Sequence, residues 1–201
     1  MLLSQYLSCV NQKNMPPADF LSALRSLREA RMSSDFSYEE VPAPRNIAPF
    51  SAALSLQTRE NSDHPTHGRF LVFYNPEWVE EWQGNFRIVM MISAVTDDEI
   101  AADPVIKQVA WDWLHEALDA SGAGASNLSG TVTIESSQSF GALRPQAPVS
   151  NIEMRASWTP ASTDLAPHLE AWGILATFCE GDEPTSPLYP VRDLRSTHHH
   201  V

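Results

Sequence analysis

FRIVMMISAV (residues 86–95) and the nearby RFLVFY (69–74) are the most strand-like parts of this chain. Both are rich in β-branched and aromatic residues, which favour a pleated, half-buried backbone. Asn75-Pro76 breaks the pattern between them, because proline has no N–H to give to a sheet, and residues 77–83 could form one helical turn. The two stretches therefore predict two strands of one antiparallel sheet.

A second pair of strand-like stretches lies further along the chain. TVTIE (131–135) and IEMRASW (152–158) alternate apolar and polar residues, as a strand with one buried face requires. A helical pattern follows each pair, so the order strand–strand–helix occurs twice, over about 69–120 and 131–180. The apolar side of the last strand is predicted to carry Ile152, Met154, Ala156 and Trp158.

This repeated order predicts a pseudo-duplicated β-β-α unit. Gly68 precedes the first copy and Gly130 the second, while Trp113 and Trp172 lie centrally in the two helices. Two such units would place their helices on one face of a mostly antiparallel sheet, so the fold class is predicted to be α+β.

The helices are predicted from apolar residues at helical spacing. Pro16-Pro17 opens an N-terminal helix, Asp103-Pro104 begins one that runs to about Ala120, and Ser162, Thr163 or Asp164 caps the last. The predicted apolar stripes of the last two helices are Ile106, Val109, Ala110, Trp113 and Ala117, then Leu165, Leu169, Trp172, Ala176 and Cys179.

The other segments complete the predicted organisation. Residues 36–41 are expected to be a short strand or extended arm, 49–58 a short helix, and 121–130 a flexible loop. We expect a flexible lead-in at 1–16, a single α+β domain at 17–180, and a proline-rich, His-ending tail at 181–201.

Composition limits the kinds of partner. The chain has 201 residues, of which 25 are acids and 13 are Lys or Arg, giving a formal net charge of −12. This charge disfavours direct binding to nucleic acid or an anionic membrane, because phosphates must be neutralised by cations. We find no signal-peptide pattern and no long apolar run. Two separated cysteines, Cys9 and Cys179, suggest free thiols in a reducing, cytoplasmic compartment.

Three segments carry a family resemblance: EEVPAPRNIAPFSAAL (39–54); DPVIKQVAWDWLHEALDASG (103–122) with the preceding FRIVMMISA (86–94); and GTVTIESSQSFGAL (130–143) leading into MRASWTPASTDLAPHLEAW (154–172). Together they resemble the actinobacterial domain-of-unknown-function family number three thousand, over about residues 17–180. The resemblance implies an actinobacterial intracellular protein and supplies no activity. The element order also resembles that of type III secretion chaperones and YbjN-like proteins, with the helix at 49–58 inserted.

No pattern predicts a catalytic, cofactor-binding or metal site. Asp63, His64 and His67 lie in a polar loop that is more simply a solvated turn. His168 would need a positioned partner and a cleft to act as a base, and a partly buried histidine is the simpler interpretation. His115-Glu116 begins an HExxH motif, but its second histidine is missing, since position 119 is Asp.

The six tryptophans are the most informative candidates. Trp113, Trp158 and Trp172 fall on predicted buried stripes, so they either pack the core or line an aromatic pocket between sheet and helices. Trp78 and Trp82 lie four residues apart in the 75–84 connection. If exposed, this pair would be a partner-binding patch, whereas the simpler interpretation is that the rings cover the sheet edge.

The resulting hypothesis is a cytoplasmic, non-enzymatic protein-interaction or chaperone-like module. It would bind an unknown protein partner, or form a homodimer, through Trp78 and Trp82 or an exposed sheet edge. The alternative is a small-molecule-binding protein or enzyme with an aromatic pocket between sheet and helices.

Overall fold

Six strands form one antiparallel sheet, which runs from edge to edge as Phe36–Val41 (β2), Phe50–Thr58 (β3), Thr66–Val79 (β4), Gly84–Thr96 (β5), Val149–Pro160 (β7) and Ala125–Ser137 (β6). The structure is a computed structural model and describes residues 16–59, 65–140, 149–181 and 189–190. The elements in chain order are α1 (Ala18–Ser26), β1 (Arg31–Met32), β2 (Phe36–Val41), β3 (Phe50–Thr58), β4 (Thr66–Val79), β5 (Gly84–Thr96), α2 (Asp98–Ala101), α3 (Ile106–Ser121), β6 (Ala125–Ser137), β7 (Val149–Pro160), α4 (Ala166–Cys179) and β8 (Tyr189–Pro190).

One face of the sheet builds the core. In β5 the even-numbered residues from Gly84 to Ala94 are buried and the odd-numbered ones are half-buried, which is the alternation that a strand imposes. In β7 Ile152, Met154, Ala156 and Trp158 are all buried, as predicted. Helices α1, α3 and α4 contribute their buried residues to the same cluster. The predicted α+β fold, with an antiparallel sheet and an N-terminal helix, is confirmed.

Helix α4 is buried on nearly all sides. Nine of its 14 residues are buried, including His168 and Gly173, and not only the stripe that the spacing predicts. The helix packs on β4 and β5 and also contacts α3 and β1. An apolar helix of this kind belongs inside a core and not on its surface. The core is thus arranged around α4.

Two indole rings lie directly on the sheet at glycine positions. A Cβ atom at Gly68 of β4 would come within 2.7 Å of the Met91 carbonyl oxygen and 3.0 Å of a ring carbon of Trp172. At Gly130 of β6 it would come within 2.7 Å of a ring carbon of Trp111. Any larger residue would push the helix away, so glycine is required for this close approach.

Three predicted segments are wrong. Phe50–Thr58 is not a helix but strand β3, which pairs with both β2 and β4. Residues 77–79 continue β4 and residues 80–83 form a turn instead of a helical turn. Much of the predicted loop at 121–130 belongs to β6, which begins at Ala125. In each case pairing with neighbouring strands outweighs weak local preferences.

The predicted stripe of α3 is right for Ile106, Ala110 and Ala117 but wrong for Val109 and Trp113. The buried residues are Ile106, Ala110, Leu114, Ala117 and Leu118. Val109 is 36% exposed, and Trp113 is only partly buried, beside Phe178. Asp103 does accept a hydrogen bond at the start of this region, from the Val105 N–H at 2.9 Å, although α3 itself begins at Ile106.

The chain ends are partly described. Residues 1–15 and 191–201, which include most of the predicted lead-in and tail, lie outside the described residues. Within the predicted tail, Tyr189–Pro190 pair as β8 with Arg31–Met32 of β1. Strand β3 also replaces the helix at 49–58 that the sequence predicted as an insertion into the secretion-chaperone-like element order.

We predict that Trp172→Ala lowers the free energy of unfolding by about 3–5 kcal/mol, because it empties a core position between α4 and β4. Trp78→Ala is the matched control: the same substitution at a 63% exposed ring should change stability by no more than about 0.5 kcal/mol. Urea unfolding of both variants checks this. Equal losses in the two variants would contradict the placement of the rings.

Candidate functional site

The β4–β5 hairpin is kinked next to its turn. The register shifts between Tyr74 and Val79, at the Asn75-Pro76 pair. The Asn85 side-chain amide spans the kink by donating to the carbonyl oxygens of Asn75 (3.0 Å) and Pro76 (3.1 Å). The ladder leaves these two carbonyl groups without a donor, and the Asn85 amide satisfies both of them. Residues 75–78 have no partner in β5, and pairing resumes at Val79, opposite Gly84.

Side chains from two other strands hold the hairpin turn. Asn127, at a bulge in β6 with φ of 51°, donates to the carbonyl oxygens of Glu81 (3.1 Å) and Trp82 (3.4 Å). The Thr159 hydroxyl of β7 also donates to the Trp82 carbonyl. Three backbone segments that are distant in sequence therefore meet at this turn.

Arg87 of β5 fixes the bulge that supports the turn. Its guanidinium donates to the Asn127 carbonyl (2.9 Å) and to the hydroxyls of Ser157 (2.7 Å), Thr159 (3.2 Å) and Ser129 (3.4 Å). Partial burial lowers its pKa, yet an arginine stays charged. Within the described ranges it pairs with no carboxylate. Arg87 therefore acts as a clamp across β5, β6 and β7.

A hollow of about 480 Å³ lies beside the hairpin. Tyr74 and Phe86 line it, with ring centroids 4.5 Å apart. Phe20 of α1 stacks on Tyr74 at 5.8 Å. The Trp78 ring also lines the hollow and is 63% exposed; its Nε1–H donates to Glu80 at 3.3 Å. The hollow thus combines aromatic rings held by the core with one solvent-exposed indole.

The polar lining of this hollow comes from separate elements. Asp19 belongs to α1, Gln83 to the hairpin turn, and Ser162 and Thr163 to the segment after β7. Asp19 also helps to raise the pKa of the Tyr74 phenol, after the larger effect of burial. None of the lining residues is Lys or Arg, so the hollow is electrostatically negative on the side of Asp19.

The two predicted partner-binding tryptophans have different positions. Trp78 lies in the last part of β4 and borders the hollow. Trp82 lies in the turn, where its ring is half-buried and its carbonyl oxygen anchors the turn. They are not on one helical face, because the segment between them is a strand end and a turn. Only Trp78 offers a largely exposed ring.

Of the other four tryptophans, two are core residues and two, Trp111 and Trp113, are partly buried. Trp158 and Trp172 are 0% and 1% exposed, and the Trp172 N–H donates to the Met91 carbonyl at 3.4 Å. Trp158 donates its Nε1–H to Nδ1 of His168 at 3.0 Å, with both side chains buried. These rings fill the space between sheet and helices where an aromatic pocket was the alternative interpretation.

His168 is a buried acceptor. Burial lowers its pKa to about 4, against a smaller opposing effect of Asp164. The ring is therefore neutral near pH 7, with Nδ1 accepting from Trp158 and the proton on Nε2. This arrangement fixes Trp158 and does not present a base to solvent.

The remaining candidate residues do not come together. Asp63 and His64 lie outside the described residues, as do His198, His199 and His200. His115 packs its ring against Trp111, and Glu170 pairs with Arg31 at 3.5 Å. Burial raises the pKa of the Cys179 thiol to about 12, so it stays protonated. Across the described ranges no group of three His, Cys, Asp or Glu could hold a metal ion.

One buried polar atom has no partner in the described part of the chain: the hydroxyl of Tyr38. The Tyr38 ring meets the edge of Trp172 at 6.4 Å, and burial is the main reason that its pKa is raised. An unsatisfied hydroxyl costs free energy. We attribute the position to the packing of the ring on α4.

Sequence reasoning missed the residues that build the hollow. Asp19, Tyr74, Gln83 and Thr163 lie in four separate segments, and no spacing rule joins them. The one usable signal was the Asn75-Pro76 pair, which marks a break in an otherwise regular strand.

The fold and this site define a class: an α+β protein with a six-stranded antiparallel sheet and an aromatic, acidic hollow at one hairpin. The family model for proteins of unknown function DUF3000 matches residues 16–187, so the chain belongs to this family, and the predicted family is confirmed. No curated protein and no solved structure matches the chain. Among the described helices, none is long and apolar enough to span a membrane.

We predict that stability falls as the pH drops from about 6.5 to 4. The folded state holds His168 neutral with a pKa of about 4, whereas the unfolded chain binds a proton near 6.5. Acid therefore favours the unfolded state. The free energy of unfolding falls by about 3 kcal/mol once the pH lies below the pKa of His168 in both states.

His168→Asn is the control for this prediction. The asparagine side-chain oxygen can accept the Trp158 N–H and does not titrate, so this share of the pH dependence should disappear. Chemical unfolding of both proteins at several pH values measures it. Identical pH slopes would show that His168 is not held neutral.

Proposed function

We propose that the protein is a non-enzymatic protein-interaction module that binds a partner chain at the β4–β5 hairpin. The observation that carries this proposal is Trp78, which is 63% exposed and borders a hollow of about 480 Å³. Tryptophan is enriched among the residues that dominate binding energy, especially beside a pocket that excludes water. A largely exposed indole beside a hollow that a partner side chain could fill is therefore suited to protein binding.

The rigid support of the hairpin favours the same function. Asn85, Asn127 and Thr159 hold the backbone on both sides of Trp78 through hydrogen bonds from three strands. A ring whose backbone is already ordered loses less conformational freedom when it binds. We infer that this network prepares the binding surface.

The structure also offers an exposed sheet edge. Strand β6 lies at one edge of the sheet, pairs only with β7 and is largely exposed along its 13 residues. Edge strands can accept a strand from another chain. A homodimer through this edge is a second form of the interaction hypothesis, but β6 lacks a large exposed aromatic residue. Trp78 therefore remains the better candidate.

The alternative was a small molecule or an enzyme reaction in an aromatic pocket between sheet and helices. Trp158 and Trp172 occupy that space as fully buried rings. No observation on the described residues favours this alternative over partner binding.

Three broader proposals accompany this function. We propose a reducing, cytoplasmic location, supported by the free buried thiol of Cys179, and an actinobacterial source, supported only by the family resemblance. We also propose that the two β-β-α units derive from one repeated unit. Supporting this, Gly68 and Gly130 each receive a tryptophan ring from the helix of the other unit.

We predict that Trp78→Ala abolishes capture of a stoichiometric partner by the purified protein in a native lysate of its source organism. Ile47→Ala is the control, because Ile47 is a comparably exposed apolar residue, at 56%, and does not line the hollow. The partner should remain with the wild type and the control, and fall at least about tenfold with Trp78→Ala, as expected for a hot-spot residue.

The molar mass of the same three proteins should be measured by light scattering, so that a dimer is detected if the partner is a second copy of the chain. Loss of the dimer in Trp78→Ala alone would also support the proposal. A partner or dimer that all three proteins retain equally would contradict it, as would the absence of both.

A further inference from the structure

We propose that the hollow beside Trp78 receives an arginine side chain of the partner protein. This inference rests on the proposed function and names the chemical group that the same site recognises. Three independent features of the hollow support it: its charge, its exposed indole and its unused hydrogen-bond acceptors.

The charge around the hollow is negative. Asp19 lines it, and its carboxylate makes no hydrogen bond or ion pair with the described residues. Glu77, Glu80 and Glu81 are exposed on the adjoining hairpin. No Lys or Arg lines the hollow, and the whole chain carries a formal net charge of −12. A cationic partner group is therefore favoured, both at the site and during approach.

The indole of Trp78 suits a cation that can stack. Its Nε1–H is engaged with Glu80 at 3.3 Å, which holds the ring edge, and the ring is 63% exposed. Tryptophan is the best aromatic partner for a cation above its face, and arginine is the side chain most often found there. The flat guanidinium can also stack on the ring, whereas the ammonium of lysine cannot.

The remaining lining offers acceptors that are not used within the protein. The Tyr74 hydroxyl, the Gln83 side-chain amide and the Thr163 hydroxyl make no side-chain hydrogen bond with the described residues. Together with the Asp19 carboxylate they can accept from several directions. A guanidinium has five N–H donors in one plane and can satisfy such a set, while an ammonium has three around a point.

The volume agrees with this assignment. A hollow of about 480 Å³ falls within the usual range of roughly 300–1,000 Å³ for binding pockets. Tyr74 and Phe86 provide an apolar wall for the aliphatic stem of arginine, which long cationic side chains bury along apolar surface. The charged end would then reach Asp19 and Trp78.

The test is a titration of the ¹⁵N-labelled protein with the peptide acetyl-Gly-Arg-Gly-amide, following the Trp78 Nε1–H signal by NMR. The matched peptides contain citrulline, which keeps the shape and loses the charge, or lysine. We expect saturable shifts with the arginine peptide and binding at least about tenfold weaker for citrulline, because the charge and one set of donors are lost. Lysine should bind more weakly than arginine.

Two variants locate the interaction. Asp19→Asn should weaken arginine binding about two- to fivefold, as for an exposed ion pair. Glu135→Gln is the control: Glu135 is an exposed carboxylate of β6, nine residues along the chain from Ser126 at the hollow (135 − 126 = 9), and should leave binding unchanged. Both positions are exposed, so unfolding midpoints close to that of the wild type are expected.

Equal binding of the citrulline peptide, equal binding of the lysine peptide, or no effect of Asp19→Asn would overturn the arginine assignment. The partner-capture assay in a native lysate distinguishes a wrong arginine assignment from a wrong proposed function. Capture that depends on Trp78 but survives Asp19→Asn would support the proposed interaction module and contradict the arginine assignment. Capture that is independent of Trp78 would show that the partner does not bind at this hairpin, and would therefore contradict the proposed function.

Discussion

The contact of Trp172 with Gly68 determines how the rest of the molecule is arranged. The ring lies against backbone because β4 has no side chain at that point, and its N–H reaches the Met91 carbonyl in the next strand. Helix α4 can therefore settle deep enough to be covered by α3 and β1. Dense packing of this kind leaves little room to adjust, so the rotation of α4 also fixes His168 beneath Trp158.

The hairpin that carries Trp78 depends on a different principle, the satisfaction of backbone polar groups. A kink at Asn75-Pro76 and a bulge at Asn127 both leave carbonyl groups without regular ladder partners. Asn85 and Arg87 supply donors to those carbonyl groups. Irregular backbone is stable when its polar groups are satisfied in this way. An exposed aromatic residue is thereby attached to a well-defined frame.

Sequence reasoning succeeded where one signal dominated. The alternation in IEMRASW places β7 correctly, because a period-two pattern directly reflects burial of one face. The β-branched and aromatic residues of FRIVMMISAV place β5 correctly, because they favour a pleated backbone. It failed for β3, whose Ala and Leu residues also suit a helix, and for the start of β6, whose Asn, Ser and Gly suit a loop. Both strands are specified by their neighbours, and such information is absent from a local window.

The candidate site could be predicted only in part from the sequence, for the same reason. Trp78 could be singled out as a surplus aromatic residue, but Asp19 and Thr163 are brought to it by the fold. The sheet topology was needed before α1, the hairpin and the end of β7 could be placed together. The pairing of Trp82 with Trp78 was suggested by helical spacing that the chain does not adopt there.

The Arg87 clamp has a mechanical consequence. By alternation with the buried Phe86 and Ile88, Arg87 points to the face of the sheet away from the helices, yet its hydrogen bonds lead through Asn127 and Thr159 to the carbonyl of Trp82. A ligand that competed for this guanidinium would therefore remove hydrogen bonds that support the hairpin turn. The order of the turn beside Trp78 thus depends on a side chain that does not itself contact the turn.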